Sequence, residues 1–250
     1  MEFLEMPYLC SLLVSSERPM KKYTCILFDL DHTLWDFESN SQETLKELFH
    51  QYNLQAQGIS GFPFFYETFV RVNNHLWDLH DRNIIGTEEI RTQRFHKVFG
   101  EAGLDNYPLS IKFSVDFLKD LPYKKNLLPN ALETLDYLKP KYPLVIITNG
   151  FEELQSTKMI SSGIHHHFKS VVTSQRAGSK KPAKEIFEFA LKESGHRADG
   201  AVMVGDNLQT DIAGARGAGI DTIYFNPAGQ RHSEKVTHEI KNLEELKGIL

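Results

Sequence analysis

Five short apolar runs constrain this chain more than any other feature, because each ends in residues that carry chemistry. They are Cys25-Ile26-Leu27-Phe28, Leu144-Val145-Ile146-Ile147, Ser170-Val171-Val172, Ala201-Val202-Met203-Val204 and Thr222-Ile223-Tyr224-Phe225. A strand with one wet face would alternate apolar and polar residues. Runs without that alternation fit strands covered on both faces of a parallel sheet. From Pro129 onward, helix-like segments at 131–139, 152–162, 184–194 and 211–218 alternate with the runs, which is the pattern of βαβ units. Residues 243–250 read as a short closing helix. In an open parallel sheet the ligand sits beyond the carboxyl ends of the strands, so the residues after each run become the candidate site.

The first run leads into Asp29, Leu30 and Asp31, with Thr33 close behind. In an extended chain Asp29 and Asp31 point to one side and Leu30 to the other. Two neighbouring acids suit a division between nucleophile and proton donor. The second run leads to Thr148-Asn149-Gly150, the third to Lys180-Lys181-Pro182, the fourth to Gly205-Asp206-Asn207 and on to Asp211, and the fifth to Asn226-Pro227. Singly, each is ordinary. A pair of acids is most often a solvated turn, Thr148-Asn149-Gly150 a common turn, and Lys181-Pro182 a solvated pair ahead of a helix. The stretch from Gly205 to Asp211 reads equally as a loop with a helix start at Thr210 or Asp211. Jointly, and each after a strand-like run, they are hard to explain as coincidence.

No strand signal appears between Trp35 and Pro122. Leu45, Leu48, Phe49 and Tyr52 form one helical stripe, and residues 64–81 another, with Phe65, Phe69, Val72, Leu76 and Leu79. Thr87 is placed to cap a third helix carrying Ile90, Arg94, Phe95 and Val98, and 110–121 reads as a fourth. The division expected is an extension at 1–20, a Rossmann-like core at 21–35 and 121–250, and an inserted helical block at 36–120. Met20-Lys21-Lys22 looks like an alternative start, which makes the extension dispensable. Its acids Glu2 and Glu5 do not suit a signal peptide.

Composition narrows the function classes. In 250 residues, 41% are hydrophobic and 17 are Phe, enough to bury a real core and to exclude a disordered chain. A net charge of −5 without a basic patch disfavours a nucleic-acid polymer as partner. No apolar stretch is long enough to span a bilayer. Cys10 and Cys25 give no disulfide framework and fit a reducing, cytoplasmic setting. No pattern specifies an oligomeric state.

A phosphate ester would engage all of these groups. Asp29 attacks phosphorus, while Asp31 protonates the leaving oxygen and then deprotonates the attacking water. A phosphate dianion approaching Asp29, Asp206 and Asp211 meets strong like-charge repulsion. A hard cation such as Mg²⁺, held by Asp29 and Asp206, offsets it, and Lys181 supplies a second positive charge. The Thr148 hydroxyl and the amides around Asn149 and Gly150 would receive phosphoryl oxygens. Gly150 permits close approach, and Asn207 and Asp211 support the arrangement.

This order and context resemble the haloacid dehalogenase-like hydrolase superfamily. Phe28 to Leu34 looks like its first motif, Thr148 its second, Lys181 its third, and Gly205-Asp206 with Asp211 its fourth. The resemblance covers the chain from about Lys22 to the end. It implies an α/β fold with a five-stranded parallel sheet, the nucleophile strand central, and an α-helical cap inserted after the first strand. It also implies Mg²⁺, an aspartyl-phosphate at Asp29, and a metal contact from the backbone carbonyl of Asp31. The superfamily's dehalogenases lack the second acid, so Asp31 points to phosphoryl transfer. Closer in, Thr148-Asn149-Gly150-Phe151, the stretch from Val72 to Trp77 and Arg94-Phe95 look like bacterial pyrimidine 5′-nucleotidases. That implies a small phosphorylated metabolite, a nucleoside 5′-monophosphate of pyrimidine type. The alternative is another small phosphomonoester, a sugar phosphate or sialic acid 9-phosphate, since sialic acid 9-phosphatases share a similar core and cap. C–halogen hydrolysis and a non-catalytic binding module rank below these.

Within the helical block and its hinge, Trp35, Phe37, Asn73, Trp77 and Arg94 are the candidates for substrate contact, with Asn74 and His80 beside them. Any one aromatic there reads as readily as a packing residue. Gln175 and Arg176 are candidates for the phosphate entrance. His165-His166-His167 reads as a surface turn, because adjacent residues point in different directions.

Overall fold

The computed structural model describes residues 23–250. The extension at 1–20 and the alternative start at Met20 lie outside the described residues. Six strands form one parallel sheet: β1 (Cys25–Phe28), β2 (Leu144–Thr148), β3 (Phe168–Thr173), β4 (Ala201–Gly205), β5 (Asp221–Phe225) and β6 (His238–Ile240). Their order is β3-β2-β1-β4-β5-β6, which makes β1 interior. Phe28 pairs with Ile146 on one side and Val204 on the other, so the tips of β2, β1 and β4 end side by side. Every residue of β1, β2 and β4 is buried, which is why their sequences show no alternation.

The expected sheet had five strands. The sixth is β6, where only Ile240 is buried while His238 and Glu239 are exposed. Three residues with one apolar member leave no periodic signal to read.

Helices α1 (Phe37–Gln51), α2 (Phe62–Asp81), α3 (Thr87–Glu101) and α4 (Tyr107–Asp120) follow β1 as a block. Asp36 caps α1 by accepting from the Ser39 amide at 2.9 Å. Asn106 caps α4 by accepting from Leu109, so that helix begins before Ser110. The cap of α3 is Gly86 rather than Thr87; its amide donates to Glu89 at 3.0 Å. Inside the block, buried phenylalanines interlock: Phe95 lies 4.8 Å from Phe113 and Phe69 5.5 Å from Phe117, centroid to centroid. Edge-to-face pairs of this kind add roughly 0.5–1.5 kcal/mol each beyond area burial.

The remaining helices are α5 (Ala131–Leu138), α6 (Glu152–Ser161), α7 (Ser174–Ala177), α8 (Lys184–Ser194), α9 (Ala213–Gly217) and α10 (Leu246–Ile249). A π-helical turn at Leu208–Ile212 runs into α9, which starts later than the sequence pattern implies. One face of the sheet packs Leu27, Val145 and Met203 against Ile186 and Phe187 of α8. The other joins Ile26, Phe28, Trp35 and the block's phenylalanines in one continuous apolar cluster, which holds the block against the core. Among the described residues no helix is long and apolar enough to cross a membrane.

Candidate active site

The chain turns back on itself as it leaves β1. The Asp29 amide still donates to Val204 at 2.9 Å, but His32 has φ +64° and the amides of Leu34 and Trp35 both fold back onto the Leu30 carbonyl. The two-residue period of a strand therefore does not extend past Phe28. Asp29 and Asp31 line one cavity, yet their carboxylates face different partners, where the sequence reading had them side by side.

Asp29 faces the end of the sheet. Its Oδ1 lies 2.5 Å from Lys181 Nζ, and the same ammonium is 2.6 Å from Asp211 Oδ1. Asp206, at the tip of β4, accepts from the Thr33 hydroxyl at 3.0 Å. The Lys181 side chain is 3% exposed, so these charges meet largely without water. Burial alone would pull the Lys181 ammonium down, but Asp211 and Asp29 outweigh it and hold it above its ordinary value. Burial pushes Asp29 up to about 8, with Lys181 opposing and Asp211 and Asp206 adding repulsion. Burial, with repulsion from Asp211, likewise raises Asp206 to about 7, opposed by the Thr33 hydrogen bond and Lys181. Three acids against one lysine leave a deficit of positive charge.

That deficit tests the fit of a cation. One ligand oxygen from each of Asp29, Asp206 and Asp211 lies within 4.8 Å of the others, an all-carboxylate set that suits a hard divalent ion. Asp211 spends its oxygens on Lys181 and on the Asn207 amide at 3.1 Å, which leaves Asp29 and Asp206 as the better donors. Gly205 is needed beside them, since a Cβ there would collide with the Asp211 carboxylate. Asn207 supports from behind: its Oδ1 accepts from the amides of Gln209 and Thr210 and starts the π-helical turn.

The β2 tip supplies Thr148, buried, whose Oγ1 accepts from the Gly150 amide at 3.0 Å. That amide is thus engaged within its own loop. Asn149 also departs from the phosphate-donor expectation. Its Oδ1 accepts from the Lys181 amide at 2.9 Å and its Nδ2 donates to the Lys181 carbonyl at 2.9 Å, a two-point clamp on the residue that carries the lysine. Gly150 is required for space: a Cβ there would stand 2.6 Å from Gln155 Nε2 and 3.3 Å from Asp31 Oδ2.

Asp31 brings in a residue that the sequence reading missed. Lys158, on α6, places its ammonium 2.6 Å from Asp31 Oδ1 and 2.8 Å from Oδ2, and 4.5 Å from the Trp35 ring centroid. The Lys158 side chain is 4% exposed. A signal existed. Phe151, Leu154, Gln155 and Lys158 fall at i, i+3, i+4 and i+7, so a lysine occupies an apolar stripe.

The cavity has a volume of about 780 Å³ and runs from this cluster to the helical block, where Phe37, Asn73, Asn74, Trp77 and Arg94 line it. Trp35 does not line it; at 0% exposure it packs the hinge. His80 is buried too and faces Asp81. Gln175 and Arg176 do not line it either. Gln175 accepts from the Glu152 amide at the start of α6, and Arg176 holds Val171 and Glu193. Of the three adjacent histidines, His167 is buried rather than on a surface turn, with Nε2 2.8 Å from Asp136.

Contacts at the rim tie the block to the core. The Arg91 guanidinium stacks 4.0 Å over Phe151 and pairs with Glu153. Trp77 lies 5.7 Å from Phe151, Asn149 Nδ2 donates to Asp81 at 3.3 Å, and Lys180 donates to the His80 carbonyl.

This fold and this arrangement define an α/β protein of Rossmann-like type with an acidic site at the carboxyl edge of a parallel sheet. The family model for haloacid dehalogenase-like hydrolases matches residues 23–219, and the chain belongs to that family. It is 30% identical over 236 residues to the HAD-hydrolase YfnB of Bacillus subtilis (strain 168), spanning 92% of this chain and 97% of that relative. To the pyrimidine 5′-nucleotidase PynA of Streptococcus pneumoniae it is 29% identical, over 90% of this chain and 93% of PynA. To the pyrimidine 5′-nucleotidase YjjG of Escherichia coli it is 28% identical, over 92% and 98%. A crystal structure of YfnB bound to magnesium, described as revealing interdomain movement, matches with a TM-score of 0.83 at 28% identity over 92% of this chain and 99% of YfnB.

Proposed function

We propose that this chain is a Mg²⁺-dependent phosphomonoester hydrolase acting through an aspartyl-phosphate at Asp29, on nucleoside 5′-monophosphates of pyrimidine type. The observation that carries the reading is the pairing of one buried lysine with Asp29 and Asp211, with Asp206 grouped beside those acids, in a cavity that Thr148 also lines. Residues 36–120 serve as the cap, over a core of 21–35 and 121–250. Asp29, Asp206 and the Asp31 main-chain carbonyl would hold the ion. When bound, it offsets the acids' charge and polarises the phosphoryl group.

Asp29 attacks phosphorus and the bond to the leaving oxygen breaks. Asp31 gives that oxygen its proton. In the second step Asp31 takes a proton from water, the water oxygen bonds to phosphorus, and the Asp29 carboxylate is released with inorganic phosphate. Lys181, held by the Asn149 clamp, and the Thr148 hydroxyl take the phosphoryl oxygens. Two relatives named as pyrimidine 5′-nucleotidases, and a cavity wall bearing Trp77, Asn73 and Arg94, support the nucleotide preference.

Hydrolysis of p-nitrophenyl phosphate with Mg²⁺ and with a chelator tests the first part. Turnover should fall to background with chelator, and equal rates would overturn metal dependence. A panel ranked by kcat/KM tests the second. Uridine and cytidine 5′-monophosphates should lead ribose 5-phosphate and glyceraldehyde 3-phosphate, and the reverse order removes the nucleotide preference while leaving the phosphatase.

A further inference from the structure

Arg94 is the buried cation that the proposed chemistry does not use. It sits on α3 at 2% exposure, among the rings of Phe69, Phe95 and Phe117, whose centroids lie 5.9, 5.3 and 4.9 Å from its Cζ. Nη1 donates to Asn73 Oδ1 at 3.1 Å. Nε and Nη2 are buried and have no partner among the described residues. No carboxylate there pairs with the guanidinium, and the charge that acts on it is another cation, Arg91. Burial, reinforced by Arg91, pulls its pKa down to about 9, so it remains charged at neutral pH.

A structural role explains this poorly. A buried charge with idle donors lowers stability, and an apolar side chain of similar volume would fill the site without that penalty. The idle atoms also have a geometry. Nε and Nη2 form one edge of the planar group, the edge that grips two acceptors at once. Arg94 and Asn73 line the same cavity as Asp29 and Lys181.

We propose that Arg94, oriented by Asn73, is the specificity residue for the non-phosphoryl end of the substrate, and that its free edge takes a flat pair of acceptors. This rests on the phosphatase reading and narrows its substrate class. A carboxylate offers such a pair, as do the ring nitrogen and carbonyl of cytosine. A polyol offers hydroxyls, each of which also brings a donor, whereas a guanidinium can only donate. With Nε and Nη2 shielded from solvent, engagement requires a turn of the guanidinium or a shift of the helical block, so binding and closure are linked.

The test is R94M and R94K on four substrates: p-nitrophenyl phosphate, ribose 5-phosphate, 3-phosphoglycerate and cytidine 5′-monophosphate. Wild type should prefer one of the last two. On that substrate R94M should lose about 10- to 100-fold in kcat/KM, chiefly through KM, with less than about threefold lost on the first two. R94K, which keeps the charge without the two-donor edge, should recover only part. The thermal midpoint of R94M should hold or rise. An equal loss on all four substrates, a falling midpoint, or a wild type without the preference would each overturn the proposal. A wild type inactive on all four would overturn the phosphatase reading beneath it.

Discussion

The core wall of the cavity holds its buried charges in contact, with Lys181 2.5 Å from Asp29 and 2.6 Å from Asp211. The wall formed by α2 and α3 holds Arg94, whose one hydrogen-bond partner among the described residues is the neutral Asn73. Breaking a buried ion pair strands a charge, so the core cluster is mutually dependent. Removing an unmatched cation strands no charge, only the neutral Asn73 amide oxygen. On the proposed reading the core wall, once it holds its cation, handles a phosphoryl group that is common to many substrates. The opposite wall keeps a deficit that a particular substrate would fill.

The comparison can be broken at its strongest point by D29N. Turnover of p-nitrophenyl phosphate should fall by at least about 1,000-fold with circular dichroism unchanged, because the attacking carboxylate is gone. A variant keeping a tenth of the activity would reassign the nucleophile. K181M sharpens the contrast with R94M. Stranding Asp29 and Asp211 should cost about 3 kcal/mol in urea unfolding at pH 8, whereas R94M, which relieves a buried charge at the expense of one hydrogen bond, should cost far less. A smaller loss is expected at pH 6, where the acids take up protons.

Protonation gives the next effect. The folded-state values of Asp29 and Asp206, about 8 and 7, stand above those of an unfolded chain. Between roughly pH 4 and 8 the folded form therefore holds more protons, and stability falls as pH rises through that window. Metal-free protein should lose at least about 2 kcal/mol between pH 5.5 and 8.5, the share of Asp206 alone. Added Mg²⁺ should raise the thermal midpoint more at pH 8.5, where it does not compete with protons. A flat profile would mean that the carboxylates are not thrown together as described. The smallest effect is that of K158M, which removes the contact that orients the Asp31 carboxylate for proton transfer. About 10-fold should be lost in kcat on an alkyl phosphate, and less on p-nitrophenyl phosphate, whose leaving oxygen needs no proton.

Most of the core site was legible because strands buried on both faces leave unbroken apolar runs, and the residues after them must sit at one edge. That logic groups Asp29, Lys181, Asp206 and Asp211 from the order of residues alone. It failed where the chain left strand geometry, at Asp31, and where a strand had one apolar residue, at β6. The helical block was legible as helices, but the fate of its polar residues was not. Arg94 lies on the stripe of Ile90, Phe95 and Val98, and Lys158 on that of Phe151 and Leu154. In both helices a charge stood where an apolar residue was due, and in both it is buried. Trp35 and His80 show the converse: polar-tipped aromatics beside a site, taken up by packing.

Phe151 follows directly on the loop that carries Thr148, and Arg91 and Trp77 both rest on its ring. The strand tip that would receive phosphate is therefore also the keel on which α2 and α3 sit. Were those helices to tilt, they would pull on the ring next to that tip, which couples the proposed cap to the proposed phosphate loop. On the proposed reading, admitting solvent and loosening the phosphate loop would be a single movement.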